Sequence, residues 1–68
     1  MDFRDIAETA RRQGFRMERI RDGWMFFPPD PSKRPVVWHG TPSDAAALRN
    51  FLSHMRRAGL EWPQKGSP

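Results

Sequence analysis

The chain has 68 residues, no cysteine and a formal net charge of +4, from twelve lysines and arginines against eight acidic residues. This length allows one small domain but not two, it excludes disulfides, and two histidines without thiols make a structural zinc site a poor fit. No apolar run approaches the roughly 20 residues that cross a membrane, and no signal peptide begins the chain, so we expect a cytoplasmic protein that needs no cofactor and no metal.

The first predicted element is a helix. Its apolar residues recur at i, i+3, i+4 and i+7, the spacing of one buried helix face: Phe3, Ile6, Ala7 and Ala10. Asp2 stands at the N-cap position, and Gly14 is the left-handed residue that stops the helix. These signals predict a helix between Asp2 and Gly14.

A β-hairpin is predicted to follow. Two runs of apolar and charged residues flank Asp22-Gly23. Asp-Gly favours a type I′ turn, because both central residues of that turn need positive φ. A two-residue turn at this site pairs these residues across the two strands: Arg21 with Trp24, and Arg19 with Phe26. One sheet face then carries those four side chains, and the other face carries three apolar ones: Ile20, Met25 and Phe27.

A third strand and a second helix complete the pattern. Prolines between residues 28 and 31 end the second strand, and residues 35–38 are predicted as a third. Thr41 is the predicted N-cap of the last helix, with Pro42 at its first position and Asp44 in its first turn. An apolar stripe and a glycine stop with its hydrophobic contact follow: Leu48, Phe51, Leu52 and Met55, then Gly59 and Leu60.

The order of elements is α-β-β-β-α. We predict a single α+β domain over residues 1–63, in which a three-stranded antiparallel sheet carries two helices on one face. Trp62-Pro63 is expected to fold back on the core, and residues 64–68 are expected to form a flexible tail.

Residues of the types that enzymes use for catalysis are sparse. The sequence contains no glycine-rich phosphate loop, no cysteine nucleophile and no metal-ligand motif, so we assign no catalytic residue. His39 precedes Gly40 at the junction of a strand and a helix N-terminus, where anions and functional side chains often lie. A solvent-facing loop histidine is the alternative. His54 lies beside the apolar stripe of the last helix and is interpreted as a boundary residue.

Basic and aromatic side chains interleave in the hairpin. On the predicted face, Arg19 and Arg21 lie beside Trp24, an arrangement similar to the surfaces of rings and cations that bind single-stranded nucleic acids. Phe15 and Met17 share this face. Their presence favours the alternative, in which the rings are buried and the arginines reach solvent at the edge.

A second group of basic residues lies in the proline-rich loop and the last helix. Ten of the twelve basic residues of the chain are arginines, which suit phosphate recognition, although a GC-rich genome also produces them. Lys33 and Arg34 lie in the loop, Arg49 and Arg56 share one flank of the helix, and Arg57 lies further round. Together they predict a phosphate-contacting patch with salt-dependent binding, and a solvated helix face with a soluble loop tip is the alternative.

Three short segments resemble the HicA-type toxins, which are small mRNA interferases with a double-stranded-RNA-binding-domain-like fold: Gly14-Phe15-Arg16, Trp38-His39-Gly40, and the helix from Leu48-Arg49 to Ala58-Gly59-Leu60. The resemblance spans about residues 3 to 60. The family places its catalytic histidine after glycine-serine in strand two, where this chain has Gly23-Trp24-Met25. A thioether cannot act as a general base. The resemblance therefore implies the fold and RNA binding, but not ribonuclease activity.

Two functions from different classes follow from these patterns. The first is a non-catalytic nucleic-acid-binding module, for RNA rather than DNA. The second is a protein-interaction module, such as a phage-encoded or toxin–antitoxin-like regulator, whose aromatic sheet face forms a homodimer or binds a host protein. Weak enzymatic activity centred on His39 is a third possibility.

Overall fold

The computed structural model describes residues 2–39 and 44–62. Five elements occur in chain order: helix α1 (Phe3–Arg12), strands β1 (Arg16–Ile20), β2 (Gly23–Phe27) and β3 (Val36–Trp38), and helix α2 (Ala45–Arg57). The strands form one antiparallel sheet in the order β1-β2-β3. The predicted α+β class and the α-β-β-β-α order are confirmed, whereas the predicted tail over residues 64–68 lies outside the described residues.

Helix α1 begins and ends at the residues that the sequence predicts. The Asp2 carboxylate accepts a hydrogen bond from the Asp5 backbone N–H at 3.0 Å, and the Asp5 carboxylate accepts one from the Asp2 N–H at 3.2 Å. At the other end Gly14 has φ of 97°. The Phe15 N–H donates to the Ala10 carbonyl at 2.9 Å, which completes a Schellman motif.

Helix α2 ends in the same way but begins later than predicted. Gly59 has φ of 109°, and the Leu60 N–H donates to the Met55 carbonyl at 2.9 Å. The N-cap is Asp44, whose carboxylate accepts from the N–H groups of Ala46 and Ala47 at 3.0 and 3.1 Å. The prediction of Asp44 within the first turn was therefore wrong. Aspartate is a strong N-cap, and its charge also favours the positive end of the helix dipole. The predicted cap residues 41–43 lie outside the described residues.

The hairpin has a different register from the predicted one. Ile20 pairs with Gly23 and Arg19 with Trp24, so the loop is Arg21 and Asp22. Among the described residues only Gly14 and Gly59 have positive φ, which rules out the predicted type I′ turn. Each residue of β1 therefore pairs with a residue two positions earlier in β2 than predicted: Arg19 pairs with Trp24 and not with Phe26. A shift of this size keeps every side chain on the predicted side of the sheet.

Four aromatic rings join both helices to one face of the sheet. Phe51 of α2 lies 5.1 Å from Phe26 of β2 and 5.0 Å from Trp38 of β3, measured between ring centroids. Phe3 of α1 lies 6.0 and 5.1 Å from the same two rings and 5.7 Å from Phe51. Phe26 is fully buried. Both helices therefore cover the same sheet face, as predicted.

A side-chain clamp connects the two helix ends. The Gln13 side-chain N–H donates to the Glu61 carbonyl at 3.0 Å, and the Glu61 N–H donates to the Gln13 side-chain oxygen at 2.8 Å. The clamp fixes the segment after α2 against the end of α1. Trp62 is half-buried against the core, as expected for a segment that folds back.

Gly23 is required by a close approach of two strands. A Cβ atom built on Gly23 would overlap the Trp38 carbonyl oxygen and lie 2.9 Å from its carbonyl carbon. We therefore expect Gly23→Ala and Gly23→Asn to destabilise the domain equally, by about 1–3 kcal/mol, in urea denaturation.

If Gly23 were needed for a positive φ in the turn, Gly23→Asn would destabilise the domain less than Gly23→Ala, because asparagine tolerates that conformation. Gly59→Asn is the matched control, since Gly59 has positive φ and open space around its Cα. We expect a smaller loss of stability for Gly59→Asn than for Gly23→Asn. Wild-type stability of Gly23→Asn would contradict the close-approach explanation.

Candidate functional site

A groove of about 520 Å³ brings together basic residues from two separate segments. One wall is the end of the proline-rich loop with β3, and the other is the C-terminal half of α2. We call it the basic groove and define it by the residues that line it: Lys33, Arg34, Pro35, Val36, Val37, His54, Arg57 and Ala58. Three of the predicted phosphate-contacting residues are among them: Lys33, Arg34 and Arg57.

Asp30 shapes the loop wall. Its carboxylate accepts hydrogen bonds from the Ser32 backbone N–H at 2.9 Å and from the Ser32 hydroxyl at 2.7 Å. The Lys33 N–H donates to the Asp30 carbonyl at 3.0 Å. These bonds close a tight turn, of the kind that aspartate side chains favour, directly before the two basic residues. The turn therefore fixes where the backbone of Lys33 and Arg34 enters the groove.

The helix wall carries His54 and Arg57, which are three residues apart on α2 and both exposed. Helix α2 packs against β3, and this contact brings the two side chains next to the loop. His54 was not predicted as a site residue. Its position beside the apolar stripe was recognised, but only the packing of that flank against β3 shows that it lines a groove.

The groove is positively charged and has an apolar floor. Its lining holds the cations Lys33, Arg34 and Arg57 and the His54 imidazole, and no carboxylate is among the described lining residues. Across the described residues the one ion pair joins Arg16 to Glu18, so no groove cation forms a direct ion pair, and the carboxylate charge of Asp30 interacts with Lys33. Pro35 and Val37 supply exposed apolar surface, and Val36 and Ala58 are buried below it. This combination suits an anionic ligand that also has apolar parts.

The predicted patch on α2 is divided by the structure. Arg49 and Arg56 are exposed but do not line the basic groove. At about 100° per residue, they lie roughly 80–100° round the helix from Arg57, on the flank turned away from His54. One flat patch that includes all five predicted cations is therefore not formed.

Of the predicted stacking surface, Arg19 and Arg21 are exposed, whereas Trp24 is half-buried on the sheet face that the helices cover. The pairing of Arg21 with Trp24 was wrong, because Trp24 pairs with Arg19, whose guanidinium lies 5.2 Å from the Trp24 ring centre. Arg21 is exposed in the turn, and Trp24 packs against the core. Since the helices cover this face, the alternative with buried rings and arginines at the edge describes it. The sequence clue was Phe15, on the same face and buried.

His39 follows β3 and is exposed, but it does not line the basic groove. Residues 40–43, which follow it, lie outside the described part of the chain. Within residues 2–39 and 44–62, no three histidine or acidic side chains are close enough to hold a metal ion. No helix in those ranges is long and apolar enough to cross a membrane.

Comparisons with known proteins return no relative. No protein-family model, no curated protein and no solved structure matches this chain. The candidate site therefore depends on the geometry and charge of the basic groove alone.

The hydrogen bonds in the loop wall make a testable prediction. The Ser32 N–H and hydroxyl hold the pKa of the Asp30 carboxyl below its ordinary value, and the Lys33 charge acts in the same direction. A lowered carboxyl pKa stabilises the folded loop above the ordinary pKa, and this stabilisation is lost as pH falls through the lowered value. Ser32→Ala removes the hydroxyl donor, so we expect the pKa of Asp30 to rise part of the way back in an NMR titration. Ser53→Ala, exposed on α2, is the control. An unchanged pKa in Ser32→Ala would rule out the hydrogen bond from the Ser32 hydroxyl.

Proposed function

We propose that the chain is a non-catalytic nucleic-acid-binding module that holds a phosphate backbone in the basic groove. The observation that supports this is the meeting of Lys33, Arg34 and Arg57 without a carboxylate among the described lining residues. Arginine and lysine donate several hydrogen bonds to phosphate oxygens, and arginine does so with a planar, bidentate geometry. The overall charge of +4 adds a long-range attraction for the same ligand.

The apolar floor indicates how the ligand is oriented. Phosphates contact the cations at the rim, while sugars and bases contact the exposed apolar surface of Pro35 and Val37. Apolar contact with sugars and with the faces of bases does not read base identity, so we expect weak sequence preference. The groove is about the size of a small-molecule site, which lies at roughly 300–1,000 Å³, and so fits a short single-stranded segment better than a duplex turn.

The preference for RNA over DNA is part of the proposal and depends on the sequence resemblance to HicA-type proteins. The same resemblance supports a module without ribonuclease activity. Met25 stands at the position of the family's catalytic histidine, and a thioether cannot take a proton at neutral pH. A cytoplasmic location, where RNA is available, belongs to the same proposal.

The alternative function is a protein-interaction module. The aromatic sheet face that the sequence predicted for this role is covered by the helices, since Phe26 is fully buried and Trp38 nearly so. The opposite sheet face, however, carries half-buried and exposed apolar side chains. A regulatory role of the phage or toxin–antitoxin type stays a prediction from the sequence.

Two double variants of equal charge test the proposed site. We expect Lys33→Ala with Arg57→Ala, one from each wall, to weaken binding of a short single-stranded RNA at about 50 mM salt at least tenfold. Arg49→Ala with Arg56→Ala removes the same charge outside the groove, and we expect less than a threefold change there. Fluorescence anisotropy measures both, and circular dichroism checks that each variant is folded.

Salt dependence tests the number of phosphate contacts. Three contacts to a single strand give a slope of log affinity against log salt of about −2, which is a roughly 20-fold loss between 50 and 200 mM. The groove variant should reduce this slope by about 1.4 units, because two contacts are lost. Equal weakening of RNA binding by both double variants would show that the groove is not the binding site. No binding by the wild type at low salt would overturn the proposed function.

A further inference from the structure

The second face of the sheet is not covered by the helices. Its side chains come from all three strands, and we call it the open face: Arg16, Glu18, Ile20, Met25, Phe27 and Val37. Ile20, Met25 and Phe27 are half-buried, and Val37, which also lines the basic groove, is 38% exposed, the most exposed large apolar side chain of the described residues. The open face thus combines partly exposed apolar side chains with two exposed charged ones.

The open face is electrically neutral and has an ordered charged edge. Met25 lies at its centre, between Glu18 on β1 and Val37 on β3. The Arg16 guanidinium lies 2.8 Å from the Glu18 carboxylate and 4.5 Å from the centre of the Phe27 ring. One cation and one anion therefore stand side by side on the same strand, next to apolar neighbours.

The charge of the remaining surface limits which faces of two copies can meet. Helix α2 and the basic groove carry exposed cations, and the chain as a whole has an excess of four positive charges. Two copies that approach through those surfaces repel each other within about 10 Å at moderate salt. The open face has no net charge, so the repulsion is least when two copies meet there.

We propose that two copies of this chain associate face to face through their open faces. A symmetric dimer uses the same patch on both copies, so the patch must complement itself. The open face meets this condition, because a two-fold axis can place Arg16 of one copy opposite the partner's Glu18, and the reverse. The apolar side chains of Met25 and Phe27, which pair with Glu18 and Arg16 across the hairpin, then pack against the second copy. This proposal does not depend on nucleic-acid binding.

The size of the open face predicts the strength of the association. Three strands about 4.8 Å apart, two of five residues and one of three, give a patch of at most about 14 by 17 Å. Stable complexes bury about 800 Å² on each partner, which is well above what this patch supplies. We therefore expect a weak dimer that is populated at high micromolar to millimolar concentration and is in fast exchange with the monomer.

Charge reversal on the open face provides the decisive experiment. Glu18→Arg gives a face with two cations, and Arg16→Glu gives a face with two anions. Each variant alone should associate at least about tenfold more weakly than the wild type, because like charges meet across the two-fold axis. An equimolar mixture should recover or exceed wild-type association, since the two altered faces complement each other. Sedimentation equilibrium of nucleic-acid-free protein measures all four samples: the wild type, the two variants and their mixture.

Two further variants separate the open face from other causes of association. Met25→Glu introduces a charge at the centre of the face and should abolish the dimer, while Asn50→Glu adds the same charge on the exposed side of α2 and should not. Circular dichroism confirms that each variant is folded. A wild type that stays monomeric at millimolar concentration, a mixture without recovery, or equal effects of the two glutamate variants would each overturn the proposal. Loss of RNA binding in the groove variants would leave the proposed dimer unaffected.

Discussion

The packing of four aromatic rings between the helices and the sheet is the interaction on which the rest of this fold depends. Phe3, Phe26, Trp38 and Phe51 come from four different elements, and their centroids lie 5.0 to 6.0 Å apart. A chain of 68 residues without cysteine has no cross-link to supplement its core. Each aromatic pair adds about 0.5–1.5 kcal/mol beyond the burial of its area, so the cluster supplies what a larger core would otherwise provide. Rings used in this way are not free to stack on bases.

The same packing creates the basic groove. Because Val36 and Trp38 turn inward to the rings, β3 lies directly against α2, and the loop before β3 is held beside the last turns of that helix. Cations near a helix C-terminus are favourable with or without a ligand, so Arg56 and Arg57 are equally explained by the helix dipole. What distinguishes Arg57 is its position on the flank that faces the loop, where Lys33 lies across the groove.

Local chemistry was predictable from the sequence, whereas contacts between distant segments were not. The caps at Asp2, Gly14 and Gly59 were found because a cap depends on residues within one helical turn. The hairpin register was missed because Gly23 serves a contact with Trp38, fifteen positions away, and not the turn that Asp-Gly suggests. Lys33 and Arg57 of the candidate site were predicted from the sequence. The sequence could not distinguish them from Arg49 and Arg56, which lie outside the groove, because the distinction depends on which flank of α2 meets β3.

The two proposed surfaces meet at β3. Val36 points to the helices, whereas Val37 belongs to the open face and also lines the basic groove, so a dimer centred on β1 and β2 leaves the α2 wall of each groove accessible. Two grooves on one assembly would then contact one strand of nucleic acid at two places. Linked sites bind more tightly than either alone, because the second contact forms at a high effective concentration. Weak dimer formation and weak phosphate binding would therefore reinforce each other. Binding of one strand by two grooves would favour the dimer, and the dimer would increase the number of phosphate contacts.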